Sequence, residues 1–161
     1  MDDTKTDESI QVLTFELGEE LFGIDISSVR EVLDQSNITK VPQMPEYMVG
    51  VINIRGNVVP IIDMNLKFYN RPTVKTIKTC IVITEVYMGD DLVVLGALVD
   101  SVDEVITFDA NTLEPAPKMG TQLNTAFIKC MAKKDDNFVI VLNVNKVFTT
   151  EEAVLAETIA E

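Results

Sequence analysis

Carboxylates are the one reactive group that this sequence gathers into clusters: Asp90-Asp91, Asp100 with Asp103 and Glu104, and Asp135-Asp136. Convergent carboxylates hold divalent cations, so a divalent-metal-dependent enzyme is the catalytic reading they allow. A hard cation needs several oxygens at once, and none of the clusters has the spacing of a calcium-binding loop. Two of them are turn sequences, where aspartate is favoured because its side chain bonds nearby backbone. The chain has no histidine, which removes the commonest general base and metal ligand. No serine stands in G-x-S-x-G and no glycine-rich phosphate loop is present. Cys80 and Cys130 stand alone, each inside an apolar run, and give zinc no paired ligands. The expectation is no catalytic residue, no metal and no cofactor, with the two cysteines as buried free thiols of a reducing cytosol.

Without catalysis, the surface must carry the function, and the net charge of −13 narrows what it meets. Phosphate would be repelled over most of such a surface, which excludes a nucleic-acid partner and disfavours an anionic membrane. The first residues, MDDTKTDES, are acidic with no apolar core of a signal peptide, and no apolar run has the length of a membrane span. The chain is therefore expected in the cytoplasm, with no membrane insertion. Its 161 residues, 47% hydrophobic and 24% charged, suit one globular unit with a substantial core.

The elements that must position such a surface centre on residues 41–64, VPQMPEYMVGVINIRGNVVPIIDM. Val49, Val51, Ile52 and Ile54 form a β-branched run, Arg55-Gly56-Asn57 breaks it, and Val58, Val59, Ile61 and Ile62 lead back. Glycine beside asparagine predicts a tight hairpin with positive φ. Pro60 lacks a ladder donor, which predicts an edge strand or a bulge. Upstream, alternation predicts strands around Leu13–Leu17 and Phe22–Ile26, and Ser28 with Glu31 reads as a capping box opening a short helical turn. Downstream, residues 64–70 suit one helical turn, and residues 70–78, basic and polar, read as a linker. Strands are expected over 79–87 and 92–99, a shorter one over 101–108, and two more over 126–132 and 138–144. Residues 1–9 read as a disordered acidic tail and residues 151–161 as a terminal helix, leaving 10–150 as the folded domain. About nine short strands with little helix predict an all-β class.

Several of these stretches together resemble one family. Pro42-x-x-Pro45, then Gly50-Val51-x-Asn53-x-Arg55-Gly56, then Val58-x-Pro60-Ile61-x-Asp63 are similar to the CheW adaptors. Phe22-Gly23-Ile24-Asp25-Ile26 before them, residues 96–105 and Leu113-Glu114-Pro115-Ala116-Pro117 after them follow in the family's order. The resemblance implies two small five-stranded barrels packed side by side over a shared apolar seam, with a break near 70–78. It also implies an adaptor that links chemoreceptors to the CheA histidine kinase, recruited to receptor arrays at the inner membrane. A CheW-like adaptor of a related pathway, such as one controlling surface motility, is the alternative within the family.

Three surface features then have two readings each. Arg55 is either a solvated hairpin arginine or, as the resemblance implies, the partner of Glu31, pinning the hairpin tip to the Ser28 segment. Ile26, Val29, Val32 and Leu33 are either core or the wall of a groove for an amphipathic helix. The resemblance implies that Ile26, Val29 and Val32, with Arg55 and Glu31, border the site of the receptor tip. Val102 and Val105 are either core or, with Gly50, the face turned to the regulatory domain of CheA.

Overall fold

The computed structural model describes residues 9–34, 38–116 and 125–148. The expected acidic tail and terminal helix fall outside these residues, except for Ser9. Eleven strands are formed among the described residues: β1 Ile10–Leu17, β2 Glu20–Asp25, β3 Val29–Asp34, β4 Met48–Ile54, β5 Asn57–Asp63, β6 Cys80–Met88, β7 Asp91–Val99, β8 Ser101–Phe108, β9 Leu113–Glu114, β10 Ile128–Lys134 and β11 Asn137–Leu142. Two short helices, α1 Met64–Tyr69 and α2 Val144–Val147, follow β5 and β11.

The strands make two sheets, ordered β8-β1-β2-β11-β10-β9 and β3-β6-β7-β5-β4. The all-β class holds, with six and five strands in place of five and five. Each curled sheet wraps its own small core. Val12, Phe108, Ala132, Val139 and Val141 fill the first, and Ile52, Val59, Ile61, Ile81, Ile83 and Leu98 fill the second. Between the sheets lies the larger shared seam, which includes Leu13, Phe15, Leu17, Phe22, Val82, Val86 and Leu95. Strand alternation explains how one element serves two cores: Ile81 and Ile83 of β6 point into their own sheet's core while Val82 and Val86 point into the seam.

Residues 70–78 are not a boundary between the sheets. β3, β4 and β5 precede them and β6 and β7 follow, yet all five share one sheet, with β5 parallel to β7. The chain changes sheets at 25–29 and at 99–101 instead. The basic segment is also tied down. Both Asp63 oxygens accept from Thr73, the hydroxyl at 2.6 Å and the backbone N–H at 2.9 Å, and Asp63 also caps α1 by accepting from Leu66 N–H. Asn65 donates to Thr73 Oγ1 and to Asp100 Oδ1, both at 2.9 Å, and Asp100 Oδ2 accepts from Gly18 N–H at 2.7 Å. One polar chain thus joins the end of β5, the 70–78 segment and the β1–β2 turn, and so the two sheets. Polarity made the segment look like a linker; those polar groups are its anchors.

The helical turn at Ser28–Glu31 does not form. Asp25 caps a single 3-10 turn, Ile26–Ser28, its Oδ1 accepting from Ser27 N–H and Oγ. From Val29 the chain is strand, antiparallel to β6. A capping pair is a weak local signal, and here β-branched Val29 and Val32 beside an open sheet edge override it. Pro60 is likewise on no edge: β5 lies between β4 and β7. Its pairing with β7 begins only at Ile61, so the missing N–H of Pro60 costs that ladder nothing. Cys80 and Cys130 are free but only half-buried. Burial pushes the Cys130 thiol pKa up, against the pull of Lys129.

Candidate protein-docking surface

β3 and β4 are the outer strands of the five-stranded sheet, and the β4–β5 hairpin carries its tip across the gap between them. The turn is Arg55-Gly56, with φ of +50° and +89°, and Ile54 pairs with Asn57 across it. Positive φ at both positions matches the twist of a two-residue hairpin. Glycine takes such a conformation freely, but arginine does so at a cost of about 1 kcal/mol. Asn53 steadies the turn by accepting from Gly56 N–H at 2.9 Å.

From this tip the Arg55 guanidinium reaches back to Glu31 on β3 and forms a charge-assisted hydrogen bond. The arginine is 71% exposed and the glutamate 24%. Such a pair adds little stability, and its effect is to hold the tip against the β3 edge. The implied Glu31–Arg55 contact is therefore present, between strand β3 and the turn of the β4–β5 hairpin. Arg30, one position before Glu31, is engaged as well. It donates through Nε to Glu85 Oε2 at 2.8 Å, so β3 is bound to β6 by side chains as well as by its ladder. Arg30 and Arg55 stand at the rim of an open depression of about 320 Å³ with Ile54, Val58, Ile83 and Leu92 in its wall.

The other expected receptor-side residues are graded in exposure. Ile26 and Val29 are half-buried and pack on the seam, whereas Val32 is 40% exposed. Among the three kinase-side residues, Val102 is half-buried against the seam and Val105 is exposed, both on β8, the edge of the six-stranded sheet. Gly50 does not join them. It is buried on β4 in the other sheet, where a Cβ would lie 2.3 Å from the carbonyl oxygen of Thr39. Glycine is needed there because Thr39 bridges to Val51 at that point.

Burial first, then Asp103 beside it, raise the pKa of Glu16, which lies near the end of β1 against the start of β8. Among the described residues no group of three or more ligating side chains converges on one point.

A sequence profile described as the CheW-like domain matches residues 11–152. The chain belongs to the CheW family. It is 30% identical over 151 residues to the chemotaxis protein CheW of Klebsiella aerogenes, covering 94% of this chain and 89% of that one. The CheW of Treponema pallidum is 29% identical over 152 residues, covering 91% and 86%. Among solved structures, a CheW scaffolding protein of Thermoanaerobacter tengcongensis is similar with a TM-score of 0.77 and 36% identity, covering 89% of this chain and 94% of that one. This CheW-family chain is thus a non-catalytic adaptor of chemotaxis, a scaffold that acts through protein–protein contacts. No helix among its described residues is long and apolar enough to cross a membrane.

Proposed function

We propose that this chain couples transmembrane chemoreceptors to the CheA histidine kinase in the cytoplasm, at receptor arrays beneath the inner membrane. The observation that carries the reading is the Glu31–Arg55 bond at the β3 edge, in a chain of the CheW family. It holds a rigid lip beside the exposed Val32 and the half-buried Ile26 and Val29, a surface suited to the apolar stripe of a receptor helix. The regulatory domain of CheA meets the β8 side, through Val102 and Val105. Gly50 acts at a distance in this reading, since its contribution is to let Thr39 close on β4.

Co-sedimentation tests this. Purified chain should pellet with receptor-containing membranes, and more of it should pellet when CheA is added, because several weak contacts engage together. Chain that stays in the supernatant with and without CheA overturns the proposal.

A further inference from the structure

Val29 and Val32 stand three apart on β3, a spacing that puts side chains on opposite faces of a regular strand. Here they share a face. Val29 lies opposite Thr84 and Val32 opposite Val82, two β6 residues that point the same way, with Val82 in the seam. The extra step is Arg30. It has no partner on β6, because Glu31 already faces Ile83, and the pairing shifts by one residue between Val29 and Glu31. This β-bulge sorts the side chains of the strand. Val29 and Val32 turn to the seam side, while Glu31 and Leu33 turn to the side of Ile81 and Ile83, where Arg55 reaches Glu31.

β8 repeats the spacing with Val102 and Val105, and its bulge is held from within. Val102 faces Phe15 and Val105 faces Leu13. Between those two, the buried Thr14 hydroxyl donates to the Glu104 carbonyl at 2.7 Å and accepts from Glu104 N–H at 3.1 Å. On β6 the residue between Thr84 and Val82 is Ile83, whose side chain has no polar group to offer. Thr84 is no substitute, since its hydroxyl donates to the Leu95 carbonyl on β7 at 2.9 Å. What spans the β3 bulge instead is the Arg30 side chain, which meets Glu85 Oε2 through Nε at 2.8 Å and Nη2 at 2.7 Å. With side chains 41% and 29% exposed, the pair adds little to the stability of the whole fold. It acts, however, on an outer strand, at the one residue that the ladder leaves unpaired.

We infer that Arg30 and Glu85 are positioning residues for the receptor edge: their bond latches the β3 bulge, and through it keeps Val29 and Val32 on one face and Glu31 within reach of Arg55. A one-residue slip that absorbed the bulge would turn Glu31 away from Arg55 and take Val32 off the face of Val29. The inference rests on the proposed adaptor reading only in naming a receptor helix as the occupant of that face.

Two measurements on isotopically labelled full-length chain test it. In Arg30→Ala and Glu85→Ala, relaxation dispersion should show conformational exchange confined to residues 29–34 and 81–84, with weakened cross-strand contacts from Glu31 to Ile83 and from Val32 to Val82. Both variants should bind receptor-containing membranes about twofold to fivefold less tightly, the range over which a partly exposed pair shifts a local equilibrium. Arg30→Glu combined with Glu85→Arg should regain most of the binding and silence the exchange. A disturbed β3 with binding intact, lost binding with β3 undisturbed, or a charge swap no better than the single variants overturns the inference. If β3 is disturbed and the swap quiets it, but the wild-type chain itself fails to pellet with receptor membranes, the latch stands and the receptor reading falls.

Discussion

Arg55 meets Glu31 from a backbone conformation that arginine rarely holds, so the hairpin tip is strained and restrained by the same residue. The two effects separate by substitution. Arg55→Ala and Glu31→Ala should each lower stability by about 1 kcal/mol or less, because the arginine is largely exposed. Receptor co-sedimentation should fall further than stability, and the double variant should lose no more than either single one. Arg55→Gly should match or exceed the wild type in a denaturant melt by relieving the positive φ, yet lose receptor binding as Arg55→Ala does. Additive losses for Arg55 and Glu31 would show two independent side chains and remove the lip from the mechanism.

Tyr69 gives the fold an alkaline limit. Its hydroxyl donates to Glu20 Oε1 at 2.6 Å, and burial first, then this bond, raise its pKa well above the ordinary tyrosine value. A raised pKa stabilises the fold fully below the unfolded value, near 10, and that stability is lost as pH climbs toward the folded one. Unfolding midpoints in urea should therefore fall above about pH 10. Tyr69→Phe should be less stable at neutral pH and show a flatter alkaline limb. An unchanged limb in the variant would place the alkaline loss elsewhere.

The polar chain at the sheet junction should matter more than its exposure suggests. Asp63→Ala removes a helix cap and both acceptors of Thr73, and should cost about 3 kcal/mol. Asn65→Asp sets a carboxylate against Asp100 and should cost about as much at neutral pH, with recovery as the acids protonate. Urea melts at two pH values check both. If Asn65→Asp shows no pH dependence, the Asn65–Asp100 bond is not what ties the sheets together.

What the sequence made legible follows from the range of each interaction. The central hairpin, the strand alternation and helix α1 are local patterns, and they appear with boundaries mostly within two residues of expectation, although β1 starts at Ile10, three residues before Leu13. β3 is not legible locally because its identity comes from β6, about fifty positions away, and two residues of capping chemistry dominate a short window. The linker reading of 70–78 failed for the same reason: Asp63 and Asp100 supply its partners from outside the segment. Nothing near Arg30 in the chain points to Glu85, its partner across the β3–β6 ladder.

Val32 and Val29 offer the sharpest separation of docking from folding. Val32 is 40% exposed on the β3 edge, while Val29 is half-buried against the seam, though only three positions separate them. Val32→Lys should leave the melting temperature almost unchanged, since the ammonium stays in water and the strand keeps its ladder. It should still weaken receptor binding by about 2 kcal/mol, the usual cost of a charge placed in an apolar contact. Val29→Lys should lose stability and receptor binding together, because its stem must leave the seam or carry a charge into it. Thermal melts and co-sedimentation on the same two proteins decide the matter. A Val32→Lys chain that binds receptor membranes like the wild type would move the receptor contact off the exposed edge of β3.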